Sequence, residues 1–234
     1  MKAFISQPNY LPWKGYFDAI RQADVFISLD TVQYTRRDWR NRNRIKTEHG
    51  LKWLTIPVEA KGNYTQPINE ARIADRDWAR KHWQSIVQAY ATADHLNAFT
   101  QPRYYGLFTQ DQPELLAEAN HKFLSWVCAE LSIKTPMKLA SDMSALDGPN
   151  ERLISLCEQV GADTYLSGPA AKAYLDENLF AEAGISVEWL DYSRYPEYPQ
   201  LFGTFVHEVS VIDLLLNTGP DAPRYLEQTP LNAN

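Results

Sequence analysis

Lys2-Ala3-Phe4-Ile5-Ser6-Gln7-Pro8-Asn9-Tyr10-Leu11-Pro12-Trp13-Lys14-Gly15-Tyr16-Phe17-Asp18-Ala19-Ile20-Arg21-Gln22-Ala23-Asp24-Val25-Phe26-Ile27-Ser28-Leu29 is the stretch from which the fold can be read. Residues 2–6 are a short apolar run halted at Gln7-Pro8, as a buried strand would be, because proline cannot donate to a ladder. Pro12 suits the first turn of a helix reaching about Gln22, and Trp13, Phe17 and Ile20 fall on one face of it. Residues 25–29 are a second apolar run, closed by Asp30. Strand, helix and strand in such a short span form a βαβ unit, whose strands run parallel with a right-handed crossover. The expected class is α/β, with a Rossmann-like parallel sheet.

Working outward, residues 53–58 read as a strand near an edge, because Pro57 lacks a donor. Residues 75–90 and 113–131 read as helices, the second with Leu116, Ala119, Phe123, Val127 and Leu131 as an apolar stripe. Between them, residues 91–112 are aromatic and Gln-rich and carry no clear period. Alternation then returns: a helix over 150–160, a strand over 164–166, a helix after Pro169, a strand over 185–190, and a last helix from Ser210 to Gly219. Ser210 and Asp213 have capping-box spacing. With no internal repeat or dividing linker, residues 1–234 read as one α/β domain carrying a predominantly helical insertion over 75–132.

Hydrophobic residues at 44% and charged residues at 22% exclude a disordered chain or a fibre. Cys128 and Cys157 stand far apart in sequence, so neither a disulfide scaffold nor a zinc site is expected, and the spacing of the histidines predicts no structural metal. The first apolar run is broken too early for a signal peptide, and no run approaches the ~18 residues of a membrane span. The expectation is no membrane insertion and a cytoplasmic location.

The chain carries a net charge of −6, yet residues 36–52 hold Arg36, Arg37, Arg40, Arg42, Arg44, Lys46 and Lys52 against only Asp38 and Glu48. Cations concentrated in one segment of an acidic protein focus positive potential on phosphate or carboxylate without coating the molecule in nucleic acid. The alternative is a solvated Arg-rich loop, although Trp39, Asn41 and Asn43 add planar and amide recognition groups. Arginine and aromatic rings together can hold unstacked RNA bases, but no known RNA-binding signature is present.

The first candidate site is the end of the first strand and the start of the helix after it, since ligands of open α/β sheets bind at the carboxyl ends of strands. There Gln7 and Asn9 can read polar groups, Tyr10 and Trp13 can stack on a ring, Lys14 can meet a phosphate, and Gly15 permits close backbone approach. Arg37, Arg42 and Asn43 would bind an anionic donor or carrier. Asp30 at the second strand end, or His82 on the helix over 75–90, would accept a proton, the alternatives being a turn cap and a half-buried, bonded histidine. Ser167, Gly168 and Lys172 mark a second strand-to-helix junction whose amides could take an anion, against the reading of a capped structural helix. No Walker-type loop is present.

Taken together, Gln7-Pro8-x-Tyr10-Leu11-Pro12-Trp13-x-Gly15-Tyr16-Phe17, Ala23-Asp24, Trp39-Arg40-Asn41-Arg42-Asn43, Tyr165-Leu166-Ser167-Gly168 and Tyr198-Pro199-Gln200 resemble the WbqC-like family of bacterial proteins over nearly the whole chain. The resemblance implies an association with O-antigen and other surface-polysaccharide biosynthesis, and a role such as attaching an amino acid to an amino sugar. The opening unit is similar, more distantly, to the nucleotidyltransferase branch of the HUP superfamily, including pantothenate synthetase. Those enzymes hold phosphates with His-x-Gly-His, where this chain has Trp13-Lys14-Gly15-Tyr16.

Two functions are therefore expected to compete. One is a transferase or ligase forming an amide on a small amino-bearing substrate such as a nucleotide-linked amino sugar, with ATP, another nucleotide-linked donor or aminoacyl-tRNA supplying the activated acyl group. The other is a non-catalytic Rossmann-like module that binds a nucleotide or RNA carrier.

Overall fold

The computed structural model describes residues 1–227. In chain order its strands are β1 (Lys2–Ser6), β2 (Val25–Ser28), β3 (Arg42–Thr47), β4 (Gly50–Thr55), β5 (Met137–Leu139), β6 (Thr164–Ser167) and β7 (Ser186–Trp189). Its α-helices are α1 (Lys14–Gln22), α2 (Trp78–Ala89), α3 (Leu96–Phe99), α4 (Pro102–Thr109), α5 (Leu116–Glu130), α6 (Pro149–Val160), α7 (Glu177–Glu182) and α8 (Val211–Thr218).

Five strands pair in the order β5-β2-β1-β6-β7, every pairing parallel. The two-residue period of a strand sends alternate side chains to opposite faces. Phe4, Phe26 and Leu166 accordingly join one core with Phe17 and Ile20 of α1 and with α2, α4, α5 and α8, including Trp78, Phe108 and Phe123. Ala3, Ile5, Val25, Ile27 and Tyr165 join the other, under Leu153 and Leu156 of α6 and Phe180 of α7. The result is an α/β Rossmann-like sheet with helices on both faces, and the helical segment α2–α5 lies on one of them. No helix among the described residues is long and apolar enough to cross a membrane.

Several elements differ from the expectation. The basic segment is not a loop: Arg42–Thr47 pairs antiparallel with Gly50–Thr55, so the strand expected over 53–58 begins and ends earlier, and Pro57 lies just beyond it. Asn43 and Ile45 point inward and Arg42 and Arg44 stay half-exposed, an alternation that the polarity of the segment conceals. The helix expected after Pro169 is a five-residue 3-10 turn, with α7 following separately. Ser210 caps α8 by accepting from the Ile212 N–H at 3.3 Å. Asp213 does not complete the box; its carboxylate instead accepts from the Tyr90 and Tyr198 hydroxyls at 2.7 Å each.

Because the chain leaves β1 toward β2 on one side and resumes at β6 on the other, the strand order reverses between β1 and β6. Loops leaving the carboxyl ends of these neighbours diverge, and the crevice they leave is where open α/β sheets hold ligands.

Candidate functional site

A cleft of about 680 Å³ opens at that reversal point. Its floor is built from Ser6 and Gln7 at the end of β1 and Ser167 and Gly168 at the end of β6. The Gln7 carbonyl accepts from the Tyr16 hydroxyl at 2.8 Å, while its side-chain Oε1 is buried with no hydrogen-bond partner. A Cβ on Gly168 would sit 3.1 Å from the Tyr192 hydroxyl, tighter than ordinary contact, so glycine lets Tyr192 close over the cleft.

Two cations line the cleft, Arg40 and Arg152, and no carboxylate is among its lining residues. Arg40 has a side chain 16% exposed and is held by Asp38 at 3.1 Å. It also reaches Asn9 Oδ1 at 3.4 Å, and its Nε is buried without a partner. Burial lowers the pKa of Arg40, with Asp38 opposing; a guanidinium stays charged regardless. Arg152 comes from the first turn of α6 and lies 3.7 Å from the exposed Asp147.

Asn9, Trp13, Trp39 and Tyr192 also line an adjoining chamber of about 510 Å³, to which Asn43, Ser193, His207 and Glu208 contribute. Trp13 stands edge-on to Tyr192, ring centroids 5.1 Å apart. The His207 pKa is lowered by burial first and by the Lys14 cation second, with Glu197 and Glu208 opposing. Its imidazole is thereby biased toward the neutral form, which can accept a proton.

Of the residues singled out in the sequence, Gln7, Asn9, Trp13, Ser167 and Gly168 meet at the cleft, and Asn43 lines the chamber. Asn43 is itself buried, its amide donating to the Tyr10 and Leu11 carbonyls at 3.2 and 2.8 Å. Arg37 and Arg42 lie in a separate groove with Trp39. Of the five candidates Tyr10, Lys14, Asp30, Arg42 and Ser167, only Ser167 lines the cleft.

The physical reasons are local. Tyr10 is fully buried between Trp78 and Phe123, leaving no face for a ligand. Lys14 is buried against Tyr195, Tyr198 and Phe205, its ammonium 5.2–5.8 Å from their centroids, and it donates to the Pro196 carbonyl. Burial lowers its pKa to about 8, with Glu197 opposing. Gly15 makes room not for a ligand but for Trp13, whose indole would lie 2.3 Å from a Cβ there. Asp30 is buried and occupied by Ser141, accepting from its N–H at 2.9 Å and its hydroxyl at 2.8 Å. Lys172 is exposed and rests over Trp189, 5.1 Å from its centroid. Nearby, Ser28 and His121 are 2.7 Å apart, but Ser28 is fully buried and unavailable as a nucleophile.

His82 is held as a neutral, structural ring. Its Nδ1 accepts from the Tyr10 hydroxyl at 2.9 Å, and its Nε2–H donates to the Thr55 carbonyl at 3.2 Å. Burial lowers its pKa to about 4, the Thr55 bond opposing. Folded protein thus binds fewer protons here than unfolded chain, so the contribution of His82 to stability is full above pH ~6.5 and is lost as pH falls toward 4. From pH 7 to pH 5 the expected loss from this group is about 2 kcal/mol. Urea unfolding at both pH values should show that loss in the wild type and a smaller one in His82→Gln; equal losses would contradict it.

Arg152, His207 and Glu208 have no strand-end position or motif that could have revealed them, whereas Tyr192 follows β7 by three residues and is missed although its position at a strand end is legible. Arg40 sits between Arg37 and Arg42, in the turn that precedes β3, and composition alone does not distinguish it from them.

The model of the WbqC-like protein family matches residues 7–225. An uncharacterized protein of Mycobacterium tuberculosis, Rv1507c, is 45% identical over 225 residues, covering 96% of this chain and 97% of that protein. No solved structure matches the chain.

Proposed function

The chain belongs to the WbqC-like protein family, and on that premise we propose that it is a biosynthetic transferase that forms an amide on a nucleotide-linked amino sugar of the surface-polysaccharide pathways. The observation that carries this reading is the cleft at the β1/β6 reversal, lined by Arg40 and Arg152 without a carboxylate and sharing four residues with a chamber that holds His207 and Glu208. Guanidinium forks suit the phosphates of a nucleotide-linked sugar, and the aromatic walls of Trp13, Tyr16 and Tyr192 suit its rings.

In this reading the phosphates lie between Arg40 and Arg152, and the amino sugar reaches the chamber. The amine nitrogen attacks the carbonyl of an activated acyl group, an ester or thioester. A C–N bond forms, the C–O or C–S bond breaks, and His207 takes the amine proton and returns it to the departing oxygen or sulfur. Orientation of the two reactants supplies a large part of such an acceleration, and proton transfer adds to it.

The test is mass spectrometry of a uridine-diphosphate-linked amino sugar incubated with the protein and an aminoacyl ester or an acyl thioester. A product heavier by one acyl residue is expected. Unchanged mass with both donor classes, under conditions where the sugar nucleotide binds, would leave the protein a binding module.

A further inference from the structure

Outside the cleft, the outward face of the β3–β4 hairpin forms a third, open groove of about 290 Å³ with the preceding loop, lined by Arg37, Asp38, Trp39, Arg42, Arg44 and Trp53. The two indoles are 5.6 Å apart at 39°, and each remains about two-fifths exposed, at 39% for Trp39 and 41% for Trp53. Register places Arg44 opposite Trp53 and Arg42 opposite Thr55. The Arg42 guanidinium lies 4.0 Å from the Trp53 centroid, and that of Arg44 lies 5.5 Å from Trp53 and 5.7 Å from Trp39.

These cations have no ionic partner among the described residues. Among the described residues no carboxylate lies within salt-bridge distance of Arg37, Arg42 or Arg44, and the Nε atoms of Arg42 and Arg44 are buried without a partner. The one carboxylate of the groove, Asp38, is taken by Arg40 and by the Trp39 N–H. Exposed indoles are expensive to leave in water, and three unpaired guanidiniums repel one another, in a chain whose net charge is −6. A planar, anionic occupant would resolve both features.

We propose that this groove binds a short single-stranded RNA, its bases stacking on Trp53 and Trp39 and its phosphates pairing with Arg37, Arg42 and Arg44. An enclosed slot would favour a lone nucleotide, whereas two successive open rings beside a row of cations suit consecutive bases of a strand. The exposed Thr55 hydroxyl, across the ladder from Arg42, provides a partner for a ribose 2′-OH. Trp39 also lines the cleft and the chamber, so a strand end leaving the groove is directed toward them. The inference stands apart from the transferase reading, and RNA binding and acyl transfer can fail independently.

Fluorescence anisotropy with a labelled single-stranded RNA hexanucleotide tests it. Binding should weaken with salt with a log–log slope of about −2, as for about three phosphates on a single strand. Trp53→Ala should weaken binding by about 5- to 150-fold, the range for loss of one stacked base. Arg42→Ala should weaken it and flatten the salt slope, while Lys134→Ala, which removes an exposed cation that lines neither the groove nor the cleft, should not. Thermal melts show whether each variant is folded, and Arg37→Ala, on the exposed loop, serves if a hairpin variant is not. Absence of binding at low salt, or equal affinity for duplex RNA or polyglutamate, would overturn the proposal. Equal affinity for the same sequence in DNA would overturn the assignment to RNA.

Discussion

Replacing His207 with alanine is expected to lower the turnover of the amide-forming reaction by about 10²–10⁴-fold, the range contributed by a positioned general base. Substrate affinity should change little, because the proposed phosphate contacts, Arg40 and Arg152, line the neighbouring cleft and not the chamber. The split between kcat and the dissociation constant separates a proton acceptor from a residue that merely shapes the chamber. The pH profile carries a second signature. Burial and the Lys14 cation hold the imidazole below its usual pKa, so the neutral base is present down to lower pH than for a free histidine. The acid limb of the rate should therefore lie below ~6.5 in the wild type and disappear from the residual activity of His207→Ala. A variant with wild-type kcat would exclude this assignment.

Trp78→Ala is expected to destabilise the protein by about 3–5 kcal/mol, as for large aromatic residues removed from a packed core. Trp78 is 1% exposed and meets Tyr10, His82 and Phe123 at centroid distances of 5.6, 5.3 and 6.1 Å. It joins the helical segment to the loop that follows β1, so the cavity would open where that loop is anchored. One effect opposes the loss: the indole N–H is buried without a partner, and its removal relieves about 1–3 kcal/mol, which favours the lower part of the range. Urea unfolding with an unchanged m-value measures the difference, and a loss below ~1 kcal/mol would contradict the packing described.

The residues reveal the sheet where apolar periodicity is strong. The β1–α1–β2 unit, α5 and the β6 to β7 return are all visible in this way. What escapes is short or polar: β5 has three residues with a lysine in the middle, α3 has four residues, and β3 alternates arginine and asparagine in place of the usual apolar and polar pair. The site divides similarly. Residues at strand ends, such as Gln7 and Ser167, are delivered to the cleft by topology alone. Further along the loop after β1, side-chain direction depends on packing: Asn9 and Trp13 reach the cleft, whereas Tyr10 and Lys14 do not. Tyr10 and Lys14, three and seven positions after Gln7, turn into aromatic surroundings supplied by α2 and by residues 195–205, which no local pattern brings near. His207 and Glu208 reach the site from the same distant stretch.

Titration calorimetry of a uridine-diphosphate-linked amino sugar into the wild type and Arg40→Ala tests the cleft directly. The wild type should bind it and should not bind the free amino sugar comparably. Arg40→Ala should lose about 1.5–3 kcal/mol of binding, the range for hydrogen bonds to charged groups, or roughly 10- to 150-fold. Equal binding of the two proteins, or equal binding of the free sugar by the wild type, would contradict a phosphate site at the β1/β6 reversal.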